Sequence, residues 1–209
     1  SQKIVRILHD RAKASPKRLI FAEADQMDVL KAAQIVLEEG IAIPILLGNR
    51  ETIENLRIAI SFDEEVKIID PKEEKYEDQR NIYAELFWKD QRRKGYTLYD
   101  AQRLMRERNY YASMMIKNGD ADAMLSGYSR NYPSVVKPIL ETISKSKGVN
   151  RVAATNLMLT KTGPLFLSDT TINVDPTAKE LAKIAQMTAN MAKLFGLEPI
   201  TALLSFSNF

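Results

Sequence analysis

Short apolar runs alternate along the chain with longer segments whose apolar residues recur every three or four positions. Runs of the first kind read as strands and spacing of the second kind as amphipathic helices. Their alternation is the pattern of strands made parallel neighbours by crossover helices. Strands are predicted at 18–22 (RLIFA), 41–47 (IAIPILL), 66–69, 123–126, 152–158, 165–167 and 201–206. Each is bounded by turn residues or charges, and their near-continuous apolarity predicts burial on both faces.

Met27, Leu30, Ala33 and Leu37 form one helical stripe, with Gly40 suited to the left-handed residue that closes it. Further helices are predicted at 49–60, 73–94, 98–118 and 133–145, with Gly95 separating the second from the third. Pro138 is expected to kink or restart the last of these. Asp175 is the expected cap of a final helix, with Pro176 at its first position and Gly196 at its end. Ala178, Leu181, Ala182, Ala185, Ala189 and Ala192 give that helix an alanine-rich face suited to close packing.

The polar stretch 145–148 (KSKG) has no apolar period and is the expected hinge. It divides the chain into a first α/β domain over 1–147 and the start of a second, incomplete α/β domain over 148–209. A buried strand at 201–206 with no helix after it would leave one sheet face bare, so the chain is expected to be a fragment.

Composition narrows the chemistry. The 209 residues, 45% hydrophobic, suffice for one large core or two smaller ones. With no cysteine and one histidine, disulfides, thiol nucleophiles, structural zinc and histidine-rich metal sites are excluded. No apolar run approaches the roughly 20 residues that cross a bilayer, and residues 1–8 lack the order of a secretory signal. A cytoplasmic location with no membrane is therefore expected. Thirty basic and 27 acidic residues are interspersed, which argues against a nucleic-acid partner.

In open α/β sheets, ligands bind beyond the carboxyl ends of the strands. The residues there are polar: Glu23 and Asp25, then Gly48 and Asn49, then Ser126 to Arg130. Ser168, Asp169, Thr170, Thr171 and Asn173 follow a later strand, and Ser205, Ser207 and Asn208 the last. The stretch 126–132 (SGYSRNY) is the most informative. Gly127 admits close approach of a ligand, Ser126, Ser129 and Arg130 can bond anionic oxygens, and the helix start beyond them supplies free amides. That combination suits phosphate or carboxylate; the alternative is an ordinary strand-to-helix loop whose serines cap the helix. It is neither a Walker loop nor a G-x-G-x-x-G fingerprint.

Other groups read as structural. Lys89, Arg92, Arg93 and Lys94 offset the dipole at a helix end. His9 lies in an amphipathic helix, and Asp120 and Asp122 flank a turn. Trp88, Tyr110, Tyr111 and Met114 are assigned to core or subunit contacts.

Several separated blocks resemble a known family: FAEADQMDVLKAAQIVLEEGIAIPILLGN, the KG pair at Lys94 and Gly95, NGDADAMLSG, VVKPIL, VDPTAKELAKIA and LLSFSNF. In order and spacing they are similar to the phosphate acetyltransferases and phosphate butyryltransferases. The resemblance implies two three-layer α/β/α domains with mainly parallel sheets and an isocitrate/isopropylmalate dehydrogenase-like fold, the second truncated here. It also implies a cleft for acyl-coenzyme A and phosphate, and a dimer or higher homo-oligomer. GDADAML and GYSRNYPSVVKPIL are most similar to the carboxyl-terminal domain of the large bacterial NADP-dependent malic enzymes. Relative to the transferases, Lys137 and Gln91 stand where the resemblance implies arginines. Lysine is a point charge and glutamine has none, whereas arginine offers a planar fork to phosphate.

Three functions follow from these readings. The first is a regulatory domain that senses acetyl-coenzyme A without catalysing a reaction, joined to a preceding domain that oxidatively decarboxylates malate to pyruvate. NADP and a divalent metal would then belong to that preceding part. Its ligand contacts are expected to be Ser126, Gly127, Ser129, Arg130, Lys137, Asn173, Ser205, Ser207 and Asn208, with no catalytic residue and no metal ligand. The second is an active phosphate acetyltransferase, and the third an oligomerisation module.

Overall fold

A computed structural model describes residues 2–145, 149 and 151–204. The chain divides into two compact units, one over Arg11–Ser144 and the other comprising the described residues of Ser1–Asp10 and Lys145–Phe209. Helix α1 (Gln2–Ala14) spans the first boundary.

In the larger unit, β1 (Lys17–Phe21), α2 (Met27–Glu38), β2 (Ala42–Leu47), α3 (Arg50–Ala59) and β3 (Lys67–Ile69) follow in order. Next come α4 (Glu77–Gln91), α5 (Leu98–Leu104), α6 (Arg108–Asn118), β4 (Ala123–Leu125) and α7 (Tyr132–Thr142). Four parallel strands lie in the order β3-β2-β1-β4, with Phe21 opposite both Leu46 and Leu125.

Side-chain alternation sorts the sheet into two cores, because successive strand residues point to opposite faces. Ile20, Ala22, Ile45, Leu47 and Ile69 pack with Tyr83, Phe87, Ala101, Tyr111 and Met114 from α4, α5 and α6. Phe21, Leu46 and Ile68 pack on the other face with Leu30, Ala33 and Ile53 from α2 and α3. The predicted burial on both faces is thus realised over most of β1, β2 and β3 but not in β4, where Ala123 and Leu125 are exposed, and this unit is an α/β/α sandwich around a parallel sheet. Edge-to-face aromatic pairs reinforce the first core, with ring centroids 5.2 Å apart for Tyr83–Tyr111 and 5.7 Å for Phe87–Tyr110.

The expected helix over 98–118 is two helices. Thr97 and Asp100 form a reciprocal capping box at the start of α5. At the break, the Glu107 carboxylate accepts from the amides of Asn109 (2.9 Å) and Tyr110 (3.1 Å), satisfying the otherwise unpaired first turn of α6. Pro138 does not restart a helix: α7 continues through it to Thr142. Proline removes the bond that would reach the carbonyl four residues earlier, that of Ser134. That carbonyl instead accepts from Nδ2 of Asn109 at 3.5 Å.

The smaller unit departs further from expectation. β5 (Thr155–Thr160) and β6 (Gly163–Ser168) form an antiparallel hairpin, not two parallel strands, with Thr160 opposite Gly163 across a two-residue turn. Residues along both strands alternate between exposed and half-buried over much of their length, the signature of a sheet covered on one face. α8 (Ala178–Leu194) packs on β6. Its cap is Thr177, not Asp175, because Thr177 and Glu180 form a second capping box. Ile184 and Ala192 are its buried positions, while Ala178 and Ala182 of the expected alanine face are exposed. Residues 201–204 form no strand; the rest of the strand expected at 201–206 lies outside the described residues. Most of the expected hinge, residues 146–148, also lies outside them.

Candidate functional site

The carboxyl ends of β1, β2 and β3 deliver Glu23, Gly48 and Asp70 to one edge of the sheet in the larger unit. Backbone bonds hold these ends together beyond the strands: Ala24 N–H donates to the Leu47 carbonyl at 3.2 Å, and Gly48 N–H to that of Ile69 at 3.1 Å. Gly48 lies against Asp25, whose carboxyl carbon would stand 3.2 Å from any Cβ placed there.

The loop singled out for anion binding holds an anion of the protein's own. Glu23, 1% exposed, accepts from the amides of Gly127 (2.6 Å), Tyr128 (2.9 Å) and Ser129 (2.8 Å). The Ser129 hydroxyl bonds the same carboxylate. Ser126 Oγ donates to Oδ1 of the buried Asn109 at 2.8 Å, so a second polar partner fixes the loop. Burial pushes the Glu23 carboxyl up, but the Ser129 hydroxyl and the three amides outweigh it and hold it below its ordinary value. Ser126, Gly127 and Ser129 therefore shape the loop through Glu23, and the loop delivers Arg130 at its end.

Arg130 joins a cavity of about 310 Å³. Lys72, Arg103, Arg106 and Arg108 line it as well, against the carboxylates of Asp70 and Glu107. Arg108 is tied bidentately to Asp25 at 2.7 and 2.8 Å. Burial raises the Asp25 carboxyl, yet the bonds and charge of Arg108 leave it lower than usual. Nη1 of Arg130 stands 3.9 Å from Oε1 of Glu107, the same carboxylate that caps α6. Lys72, Arg103 and Arg106 form no ion pair within 4 Å among the described residues. The cavity therefore presents net positive charge at the sheet edge where α/β folds bind ligands. Sequence reasoning missed Arg103, Arg106 and Lys72; the RLMRER run at 103–108 was the available signal, and it reads on its own as a solvated helix face.

The other predicted residues lie elsewhere. Lys137, on α7, does not line this cavity; its Nζ is 3.9 Å from Glu141, whose carboxylate accepts from the hydroxyls of Tyr96 (3.0 Å) and Tyr110 (2.6 Å). Gln91 is buried beside it and donates to the Glu141 carbonyl at 2.5 Å. Lys137 and Gln91 are thus brought together around Glu141. Asn173 belongs to the smaller unit, where Nδ2 donates to Asp169 at 2.6 Å and Oδ1 accepts from Arg151 at 2.9 Å. Ser205, Ser207 and Asn208 lie outside the described residues. Among the described residues, no group of three or more histidine, cysteine, aspartate or glutamate side chains could hold a metal, and no helix is long and apolar enough to cross a membrane.

The chain is 34% identical over 212 residues to a phosphate acetyltransferase of Thermoanaerobacterium thermosaccharolyticum, covering 98% of this chain and 63% of that protein. It is 36% identical over 211 residues to an NADP-dependent malic enzyme of Haemophilus influenzae, covering 98% of this chain and 27% of that one. A solved phosphotransacetylase from Streptococcus pyogenes matches with a TM-score of 0.87 at 33% identity, over 99% of this chain and 62% of that structure. The chain thus spans less than two thirds of the length of each of these relatives. The family model described as phosphate acetyl/butaryl transferase matches residues 3–209, and the chain belongs to that family.

Proposed function

We propose that this chain is an acyl-coenzyme A sensing domain of the kind joined to NADP-dependent malic enzymes, holding phosphate groups of the ligand in the arginine-lined cavity. The observation that carries the reading is the charge of that cavity: four arginines and a lysine face two carboxylates, and three of the cations have no ion pair within 4 Å among the described residues. Such cations gain most from an anionic ligand, because they lose no existing partner on binding it. A sensing role is supported by Gln91 and Lys137, which stand at positions of implied arginines and face Glu141. Regulation then requires only that acetyl-coenzyme A bind two states of the parent enzyme with different affinity.

On this reading the fold continues as an isocitrate/isopropylmalate dehydrogenase-like pair of domains assembled as a homo-oligomer in the cytoplasm. NADP and the divalent metal belong to the malate-oxidising part of the parent. The test is malate turnover by the parent enzyme titrated with acetyl-coenzyme A. A rate that changes with ligand, and no longer does so after Arg130→Ala, supports the reading; an unchanged rate with no detectable binding overturns it and favours an assembly role.

A second reading, an active phosphate acetyltransferase, draws on the relative of that name, of which this chain covers 63%. Acetyl phosphate formation by the parent that falls on replacing Arg130 would establish it.

A further inference from the structure

Three backbone amides of the loop after β4 converge on one point. Gly127, at a φ of 101° that glycine adopts far more readily than other residues, turns the chain so that its own N–H and those of Tyr128 and Ser129 face one carboxylate. Successive amides turned in this way make an anion-binding concavity, and the anion in it is Glu23. Oε1 accepts from Gly127 and Tyr128 and Oε2 from Ser129, so both oxygens are engaged. The backbone that carries Glu23 is tied to strands on either side. Ala22 N–H donates to the Leu125 carbonyl at 3.0 Å and Ala24 N–H to that of Leu47 at 3.2 Å.

Arg130 follows this anchor directly. Beyond it Asn131 caps α7, with Oδ1 accepting from the Ser134 amide at 3.1 Å. Arg130 therefore has a fixed residue before it and a fixed residue after it. Its guanidinium stands 3.9 Å from Glu107, too far for a hydrogen bond, so the backbone on either side rather than a close ion pair sets its place. We propose that Glu23 is a positioning residue for the anion site: a built-in anion holds the loop so that Arg130 is set for a second anion, the ligand's, in the cavity. The proposal rests on the reading that the cavity holds a ligand's phosphate groups, and adds that affinity there depends on a carboxylate outside the cavity lining. Fixing Arg130 before the ligand arrives lowers the ordering cost of binding. Asp25, on the same connection, holds Arg108 of the cavity wall, so the stretch EAD at 23–25 sets two of the four arginines there.

The carboxylate is also replaceable. Glu23 lines a hollow of about 220 Å³ with Phe21, Val29, Leu125 and Tyr128, and this hollow shares no lining residue with the cavity. Shortening Glu23 to alanine would open the three amides to a free carboxylate that enters away from the ligand.

The test is calorimetric titration of the full chain with acetyl-coenzyme A and, separately, with inorganic pyrophosphate, each in formate and in chloride of equal ionic strength. Wild type, Glu23→Ala, Arg130→Ala and the double variant are compared. Glu23→Ala should weaken both probes about tenfold in chloride, the scale of one charge-assisted hydrogen bond, and formate should restore most of the loss while leaving wild type unchanged. The double variant should bind no more weakly than Arg130→Ala alone, and formate should not improve it, because the loop acts on the ligand through that arginine. Glu23→Gln, which keeps the packing without the charge, should lose affinity that formate does not restore. Losses that multiply, with a formate effect indifferent to Arg130, are those of a residue that only stabilises the fold, and they overturn the proposal. If both probes bind and Arg130→Ala weakens them while neither Glu23 variant does, the positioning role is wrong and the cavity reading stands. If pyrophosphate alone binds and shows the formate-rescued, non-additive pattern, the positioning role stands and acyl-coenzyme A is the wrong ligand. No binding of either probe overturns both.

Discussion

Arg108 places both terminal nitrogens on the carboxylate of Asp25, at 2.7 and 2.8 Å, across 83 positions of sequence. The pair fastens the start of α6 to the end of β1, and its guanidinium forms part of the cavity wall. Both side chains are largely withdrawn from water, so removing one strands the other. Arg108→Met should lower unfolding free energy by about 3–5 kcal/mol, the range for breaking a buried pair from one side. Urea denaturation measures it, and replacing both partners with apolar residues should recover part of the loss.

Glu23 is the second tether, and acid should reveal it. Its carboxyl, like that of Asp25, titrates lower in the folded chain than its ordinary value of 4.5, or 3.8 for Asp25. A lowered carboxyl contributes stability that is complete above the ordinary value and is lost as pH falls through the folded value. Stability should therefore decline as pH drops below about 4.5 in line with this linkage. Glu23→Gln should be less stable at neutral pH by about 1–3 kcal/mol, because an amide leaves part of the loop's donors unmatched. It should also show a shallower acid limb; an acid limb identical to wild type would contradict the assignment.

Gly48 is fixed by space rather than charge. A methyl group there would meet the Asp25 carboxyl carbon at 3.2 Å and its amide nitrogen at 3.3 Å. Backbone cannot yield as a flexible side chain does, so Gly48→Ala should cost about 1–3 kcal/mol. Weaker ligand binding should accompany the loss, since Gly48 lines the cavity and Asp25 aligns Arg108. An alanine variant as stable as wild type would refute the packing.

In the smaller unit, Thr177 accepts from the Glu180 amide while the Glu180 carboxylate accepts from the Thr177 amide at 2.9 Å. Thr177→Ala should destabilise α8 by about 1 kcal/mol. Faster amide exchange in its first turn, with the larger unit unaffected, is the expected readout.

The first three strands were legible because burial on both faces leaves apolar runs such as RLIFA and IAIPILL, and the fourth, whose Ala123 and Leu125 are exposed, was legible from its apolar residues between turn signals. The hairpin was not, because its turn at 161–162 carries none of the usual paired turn residues and each strand is apolar enough to pass for a buried one. The helix break before Arg108 was hidden by apolar spacing that runs on through Met105; the structure reveals it through the cap that Glu107 supplies. The loop 126–130 was expected to offer its polar groups to a ligand's carboxylate or phosphate, but Glu23, 103 positions before Ser126, takes the amides of Gly127, Tyr128 and Ser129. Arg103 and Arg106 were silent because an arginine on a helix looks the same in sequence whether it faces water or a cavity. The packing of α5 on α4 sets Arg103 and Arg106 in one cavity lining with Asp70, Lys72 and Arg130.

The central claim is that this cavity holds an anionic ligand by charge. Its most direct test is acetyl-coenzyme A titration of wild type, Arg106→Ala and Arg130→Ala at rising ionic strength. Binding should weaken steadily with salt, and each substitution should cost about tenfold or more at low salt, the scale of one charge-assisted hydrogen bond. Affinity indifferent to salt and to both substitutions would contradict it.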